Sequence, residues 1–95
     1  MKIYDSQIPA LNPEFKLEQF DNEILLYSVA GTTAVYLNET GYLVWCLCSE
    51  NRMIGKIITL LEEAYPEKRQ YIRDDVISVI NSLAENNVIV LNNES

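Results

Sequence analysis

The feature that most constrains the fold of this chain is a change in the spacing of its apolar residues at Asn38. Before Asn38, apolar and polar residues alternate, which is typical of strands that bury one face. Turn-forming pairs, Asp21-Asn22 and Gly31-Thr32, separate the alternating runs. Strands joined by two-residue turns lie side by side in antiparallel order. We therefore predict a three-stranded antiparallel meander, with strands at residues 15–20, 23–30 and 33–37.

After Asn38 the apolar residues recur with helical spacing, which predicts three helices. Asn38 is a suitable N-cap for the first helix, and Pro66 ends the second. A short extended segment, 88–91, follows the third helix. The predicted helices span about residues 39–48, 53–65 and 70–86. The expected fold class is accordingly α+β, with the meander followed by three helices.

The third predicted helix has an apolar face that is wider on one side than a single packing contact requires. At about 100° per residue, its core stripe comprises Ile72, Val76, Val79, Ile80 and Leu83. Ile77 and Ala84 widen the stripe on the side where Arg73 also lies. If that flank borders the open edge of the third strand, the two form a groove that an extended peptide can enter as an added strand. In the alternative arrangement, the flank packs on the second helix or on the N-terminal arm.

The composition argues against an independent enzyme and against a protein that binds polyanions. The 95 residues include no His, the commonest general base and metal ligand of proteins. Seven basic and 14 acidic residues give a net charge of −7, whereas nucleic-acid contacts need clustered positive charge. The spacing of Cys46 and Cys48 is a weak signal for metal binding, and buried thiols are the simpler interpretation. We expect no catalytic residue, no metal, no cofactor and no nucleic-acid partner.

The length of the chain corresponds to one small domain. We expect this domain at residues 13–91, preceded by an N-terminal arm (1–12) that can include a short strand and followed by a tail (92–95). No export signal is recognisable at the N-terminus, and the longest apolar run, 42–48, is far shorter than a membrane span. The expected location is the cytoplasm, with no membrane partner.

Three segments of the chain resemble one known family. The run LNETGYLVW (37–45) resembles the strand-to-helix signature of PqqD-like proteins. The run IITLLEEAY (57–65) resembles the second helix of that family, and DVISVINSL (75–83) resembles the third. The order and spacing of these segments extend the resemblance over about residues 13–91.

Two turns depart from the family pattern. Between the first two helices, where the family often has Asp-Gly, this chain has Glu50-Asn51-Arg52. After the third helix, where the family often has Gly, this chain has Asn87. Both substitutions are compatible with a turn, because Asn tolerates the left-handed conformation that Gly provides.

The resemblance implies a winged-helix-like fold and a non-catalytic, peptide-binding role. PqqD-like proteins are recognition elements of ribosomally synthesised, post-translationally modified peptide (RiPP) pathways, where they act as peptide chaperones in natural product biosynthesis. They bind the leader segment of a precursor peptide, which adds as a strand to the third strand and rests against the third helix. They then present the precursor to a modifying enzyme, such as a radical-SAM protein or a cyclodehydratase, or to a leader peptidase. The resemblance therefore favours the groove.

The residues expected to bind the peptide lie on the third strand and the third helix. On the strand, the main-chain groups of Thr33, Val35 and Leu37, or of the intervening residues, are expected to pair with the leader. On the helix, the widened apolar flank should pack on the leader, and Arg73 should meet an acidic leader residue. The full predicted set comprises Thr33, Ala34, Val35, Tyr36, Leu37, Arg73, Val76, Ile77, Ile80, Asn81 and Ala84.

Two functions of other classes are alternatives. Strands and three helices also describe winged-helix transcription regulators, whose recognition helix should expose Lys and Arg. The third helix here instead exposes Asp74, Asp75 and Glu85 against Arg73 alone. The second alternative is an accessory subunit that docks on a larger enzyme without binding a peptide. An open strand edge also permits either a monomer or an edge-paired or swapped dimer.

Overall fold

The computed structural model of the chain describes residues 2–31 and 33–92. The meander and the three helices that follow it are present, so the predicted α+β fold class is confirmed. The strands are β1 (Ile8–Leu11), β2 (Phe15–Phe20), β3 (Glu23–Ser28), β4 (Ala34–Leu37) and β5 (Ile89–Asn92). The helices are α1 (Glu39–Cys48), α2 (Ile54–Ala64) and α3 (Arg69–Glu85), with a 3₁₀ turn at Pro66–Lys68 before α3.

The strands form two antiparallel sheets. β2, β3 and β4 are neighbours in that order, and β1 pairs with β5 in a separate two-stranded sheet. Pro9 of β1 lies opposite Leu91 of β5, so the extended segment predicted after the third helix finds its partner in the N-terminal arm. That arm is therefore joined to the folded domain by main-chain hydrogen bonds. Thr32, in the second predicted turn, and residues 93–95 of the predicted tail lie outside the described residues.

One core cluster joins the sheets to the helices. β3 contributes Leu26, α1 contributes Val44 and α3 contributes Ile80, and none of these three side chains retains exposed surface. Val79, which the helical spacing assigns to the core stripe, is only half-buried at the margin of this cluster. Among the residues that the structure describes, no helix is long and apolar enough to cross a lipid bilayer.

Asparagines define three of the junctions between elements. The side-chain Oδ1 of Asn38 accepts a hydrogen bond from the N–H of Gly41 at 2.7 Å, so the predicted N-cap of α1 is confirmed. A Cβ atom at position 41 would lie 3.3 Å from that Oδ1, and glycine therefore lets the cap close. Asn51 and Asn87 have φ angles of 60° and 63°, so Asn takes the left-handed conformation at both turns, as predicted.

The N-terminal arm crosses α2 and α3. The main-chain carbonyls of Asp5 and Gln7 accept hydrogen bonds from the N–H groups of Gly55 and Ile54, each at 2.9 Å, and so cap a helix start that no side chain caps. The Asp5 carboxylate also accepts two 2.9 Å hydrogen bonds from the Arg73 guanidinium. This guanidinium holds the pKa of Asp5 below its ordinary value of 3.8. The arm thus occupies the Arg73 side of α3.

Candidate functional site

The outer edge of β4 is open. β4 has β3 on one side, and no other strand in the described part of the chain pairs with it. The N–H of Ser28 donates to the carbonyl of Thr33 at 2.9 Å. Because hydrogen-bonded and non-bonded pairs alternate along antiparallel strands, every second residue from Thr33 directs its main-chain groups toward β3. The main-chain groups of Ala34 and Tyr36 therefore point out of the open edge.

The hydrogen bonds on the other side of β3 give the same parity. The N–H of Val29 donates to the carbonyl of Glu14 at 2.7 Å, so the odd-numbered residues here pair toward β2. The even-numbered residues of β3 are thereby left to bond with β4, as the Ser28 bond requires. The sequence left open whether Thr33, Val35 and Leu37 or the residues between them would pair with a peptide. The outward main-chain groups belong to the residues between them, Ala34 and Tyr36.

The side chains of β4 alternate in the same way. Val35 and Leu37 are half-buried and pack against the core, while Ala34 and Tyr36 are exposed, Tyr36 by 68%. The main-chain groups of Thr33, Val35 and Leu37 face β3, so these are not the groups available at the open edge. Val35 and Leu37 instead form one wall of a cleft.

This cleft lies between β4 and α3 and has a volume of about 170 Å³. On the α3 side the cleft is lined by short side chains, those of Ser78 and Ser82, which lie one helical turn apart. Val79 lies between them and supplies the apolar surface. The lining residues are Val35, Tyr36, Leu37, Asn38, Gly41, Ser78, Val79, Ser82 and Leu83. A strand edge with unpaired main-chain groups thus borders a partly apolar cleft.

The α3 flank on which Ile77 and Ala84 lie does not line the cleft. Arg73, Ile77 and Asn81 line a neighbouring cavity with Ile3 of the arm, and Ser78 lies between this cavity and the cleft. Ala84 lines a third, with residues of β5 and the arm. The structure therefore realises the alternative in which this flank packs on the N-terminal arm. Arg73 is bound to Asp5 and is not free to meet an acidic residue at the β4 edge.

The two remaining predicted α3 residues are part of the core. Val76 and Ile80 have no exposed surface, so neither can supply the exposed peptide contact that the prediction assigned to them. The residues that do face β4, Ser78 and Ser82, are polar and so are not part of the apolar face from which the site was predicted. Their short side chains, four residues apart on one helix face, are the signal that could have identified a surface open to close approach.

A second, smaller pocket of about 60 Å³ continues along α3 toward its N-terminus. It lies where α1, α2 and α3 meet, so its rim begins at the start of α1, next to the end of β4. Most of its wall is apolar, from Leu43, Leu61, Tyr65, Ile72 and Val76. The polar residues at its rim are Glu39, Thr40, Lys68 and Asp75.

The titratable and metal-ligating side chains of the described residues add little to these surfaces. Within residues 2–31 and 33–92 there is no group of three or more His, Cys, Asp or Glu residues arranged to hold a metal ion. Burial raises the pKa of the Cys48 thiol to about 12, so this thiol stays neutral in the core. The site consists of main-chain donors and acceptors, a partly apolar cleft and the adjoining pocket.

Comparisons with known proteins give one family by sequence and one solved structure of similar fold. The sequence model for coenzyme PQQ synthesis protein D (PqqD) matches residues 23–89, which include the β4 edge and all of α3. No protein in the curated set matches the chain. Among solved structures, TbiB1 in complex with the TbiA(beta) leader peptide is similar, with a TM-score of 0.68 at 20% sequence identity. The similarity covers 83% of this chain and 92% of that chain.

Proposed function

From the premise that this chain belongs to the PqqD family, we propose that it binds the leader segment of a ribosomally made precursor peptide as a strand added to β4. The observation that carries the proposal is the open β4 edge beside the cleft on α3. An extended peptide satisfies such an edge by main-chain hydrogen bonds and inserts alternate side chains into the neighbouring pockets.

The alternation of residues along β4 determines which parts of a bound peptide contact the strand edge and which contact the cleft. Peptide residues opposite Ala34 and Tyr36 form the main-chain hydrogen bonds, and their side chains share the solvent face with Tyr36. The peptide residue opposite Val35 projects to the other face, toward Val79 and the two serines. The main chain therefore supplies sequence-independent affinity, while every second side chain is selected by the cleft.

The structural neighbour supports the binding of a leader peptide. TbiB1 has the same fold and was solved with a leader peptide. In this chain the edge and the cleft lie on β4 and α3, within the part of the chain that the family model matches. We propose the cytoplasm as the location, because precursor peptides are made there and Cys46 and Cys48 are free thiols.

The second part of the proposal concerns the fate of the peptide. A chain that holds only the leader leaves the rest of the precursor accessible, and we propose that it presents this part to a modifying enzyme or a leader peptidase. The role is that of a non-catalytic carrier.

Peptide display provides the test. A random library of short peptides is selected against the purified protein, and the strongest binder is titrated calorimetrically. The peptide is then resynthesised with single N-methyl groups along its length. We expect N-methylation to weaken binding at every second position, because only alternate peptide N–H groups face β4. Equal loss at successive positions, or no selectable peptide, contradicts strand addition.

A further inference from the structure

We propose that the smaller pocket between α1, α2 and α3 binds a lysine or arginine side chain of the same peptide that is added to β4. This inference rests on the proposed function and extends it to the class of peptide selected: a segment with a basic residue at a defined distance from its cleft-facing residue. Three features of the pocket carry it, namely its apolar wall, its charged rim and its position on α3.

The wall suits the aliphatic part of a long side chain. Leu61 and Ile72 are buried, and Leu43 and Tyr65 are half-buried around an opening of about 60 Å³. Lys and Arg side chains commonly lay their methylene groups along apolar surface while the charged end stays at the rim. A short polar side chain would leave this wall uncovered.

The rim selects the sign of the charge. Glu39 and Asp75 are both at the opening, and Lys68 is the one basic residue among the pocket-lining residues. No ion pair within 4.0 Å joins Glu39 or Asp75 to a basic residue of the described chain, since the pairs found there are Arg52–Glu50 and Arg73–Asp5. Two carboxylates against one ammonium group leave the rim with an excess negative charge.

Each kind of peptide side chain meets this rim differently. A basic side chain forms charge-assisted hydrogen bonds with the two carboxylates. An apolar side chain covers the same carboxylates without pairing them, which incurs a desolvation cost. An acidic side chain is repelled by both, and the single ammonium group of Lys68 offsets only part of that repulsion.

The pocket and the cleft are spaced for one extended peptide. Asp75 at the pocket and Val79 at the cleft are four residues apart on α3, about 6 Å at about 1.5 Å per residue. An extended chain advances about 3.3 Å per residue, so it covers this distance in about two residues, and side chains two positions apart point to the same face. The basic residue is therefore expected about two positions from the cleft-facing residue, toward the end of the peptide that lies beside Leu37.

The test uses the peptide obtained by display, resynthesised with Lys, Arg, norleucine or Glu at that position. Calorimetric titration should give affinities about two- to fivefold higher for Lys and Arg than for norleucine, the upper part of the range for an exposed charge pair. Glu should bind most weakly. In Asp75→Asn protein the advantage of Lys over norleucine should shrink, and in Lys68→Met protein it should grow.

Asp74→Asn is the matched control, because Asp74 is the neighbouring residue and lines the cavity on the arm side of α3. It removes the same charge and should leave the Lys advantage unchanged. If norleucine binds as tightly as Lys, or if Asp74→Asn has the same effect as Asp75→Asn, the pocket assignment is wrong while strand addition stands. If no version of the peptide binds, the proposed function is wrong as well.

Discussion

Replacing Ala34 by proline tests the β4 edge directly. Ala34 is the first residue of β4, its side chain is exposed, and its N–H points away from β3. Proline has no N–H and is tolerated at the first residue of a strand and on edge strands. The hydrogen bonds between β3 and β4, which run through Thr33 and the alternate residues after it, are not touched. The substitution therefore removes one outward donor and keeps the sheet.

The size of the effect follows from the peptide carbonyl that loses its donor. A polar group left unsatisfied in a partly buried contact costs about 1–3 kcal/mol. Since each 1.4 kcal/mol corresponds to a tenfold change in affinity, Ala34→Pro should weaken peptide binding by about five- to a hundredfold. The proline ring also occupies space at the edge, which acts in the same direction.

Gln19→Pro is the matched control on the opposite edge of the same sheet. Since Glu14 bonds with Val29, the alternate residues of β2 that include Gln19 direct their N–H groups to solvent. Calorimetric titration of the display-selected peptide is done on both variants, with thermal unfolding to confirm that both are folded. Full affinity in Ala34→Pro protein, or equal losses in the two variants, would refute the reasoning.

Two further outcomes are expected. Val79→Ser should weaken binding of the same peptide about three- to tenfold, because a half-buried apolar contact in the cleft is lost. Ile77→Ser should leave the affinity unchanged, since Ile77 lies on the arm side of α3. Equal losses of affinity in the two variants would contradict the assignment of the two sides. Asp5→Asn should lower the free energy of unfolding slightly at neutral pH, the pair with Arg73 being about half exposed. Because the folded-state pKa of Asp5 is depressed, the difference in unfolding free energy between variant and wild type, measured with urea, should be present above pH 3.8 and vanish as the pH falls below it. A difference in unfolding free energy that persists in acid would argue against the ion pair as its source.

The elements of the fold could be predicted because their signals are local. The alternation before Asn38, the Asn38 cap and the stop at Pro66 each act within a few residues, and the structure agrees with them. The pairing of β1 with β5 could not be predicted in the same way, because it joins Ile8 to Asn92 across nearly the whole chain. No local pattern specifies such a partner.

The structure brings the predicted strand and the predicted helix together, but the side of the helix that faces the strand differs from the side on which the apolar residues widen. A helical projection gives the angle between residues, not which neighbour lies at each angle. Ile77 and Ala84 widened the apolar face because the arm packs there, a contact that depends on Asp5 and its hydrogen bonds with Arg73. The parity of β4 likewise follows from its register with β3, in which Ser28 bonds with Thr33, and the alternation of side chains alone does not fix which main-chain groups face that partner.

The shortness of β4 has a consequence for how new specificities could arise. Its four residues offer only Ala34 and Tyr36 to a guest strand, each with one donor and one acceptor. Each main-chain hydrogen bond contributes about 0.5–1.5 kcal/mol net. The free energy gained along β4 is therefore comparable to the entropic cost of ordering a few peptide residues. Discrimination between peptides must then come from the helix opposite. Exchanging Ser78, Val79 and Ser82 for side chains of other sizes should redirect the protein to a different precursor while its sheet is left as it is.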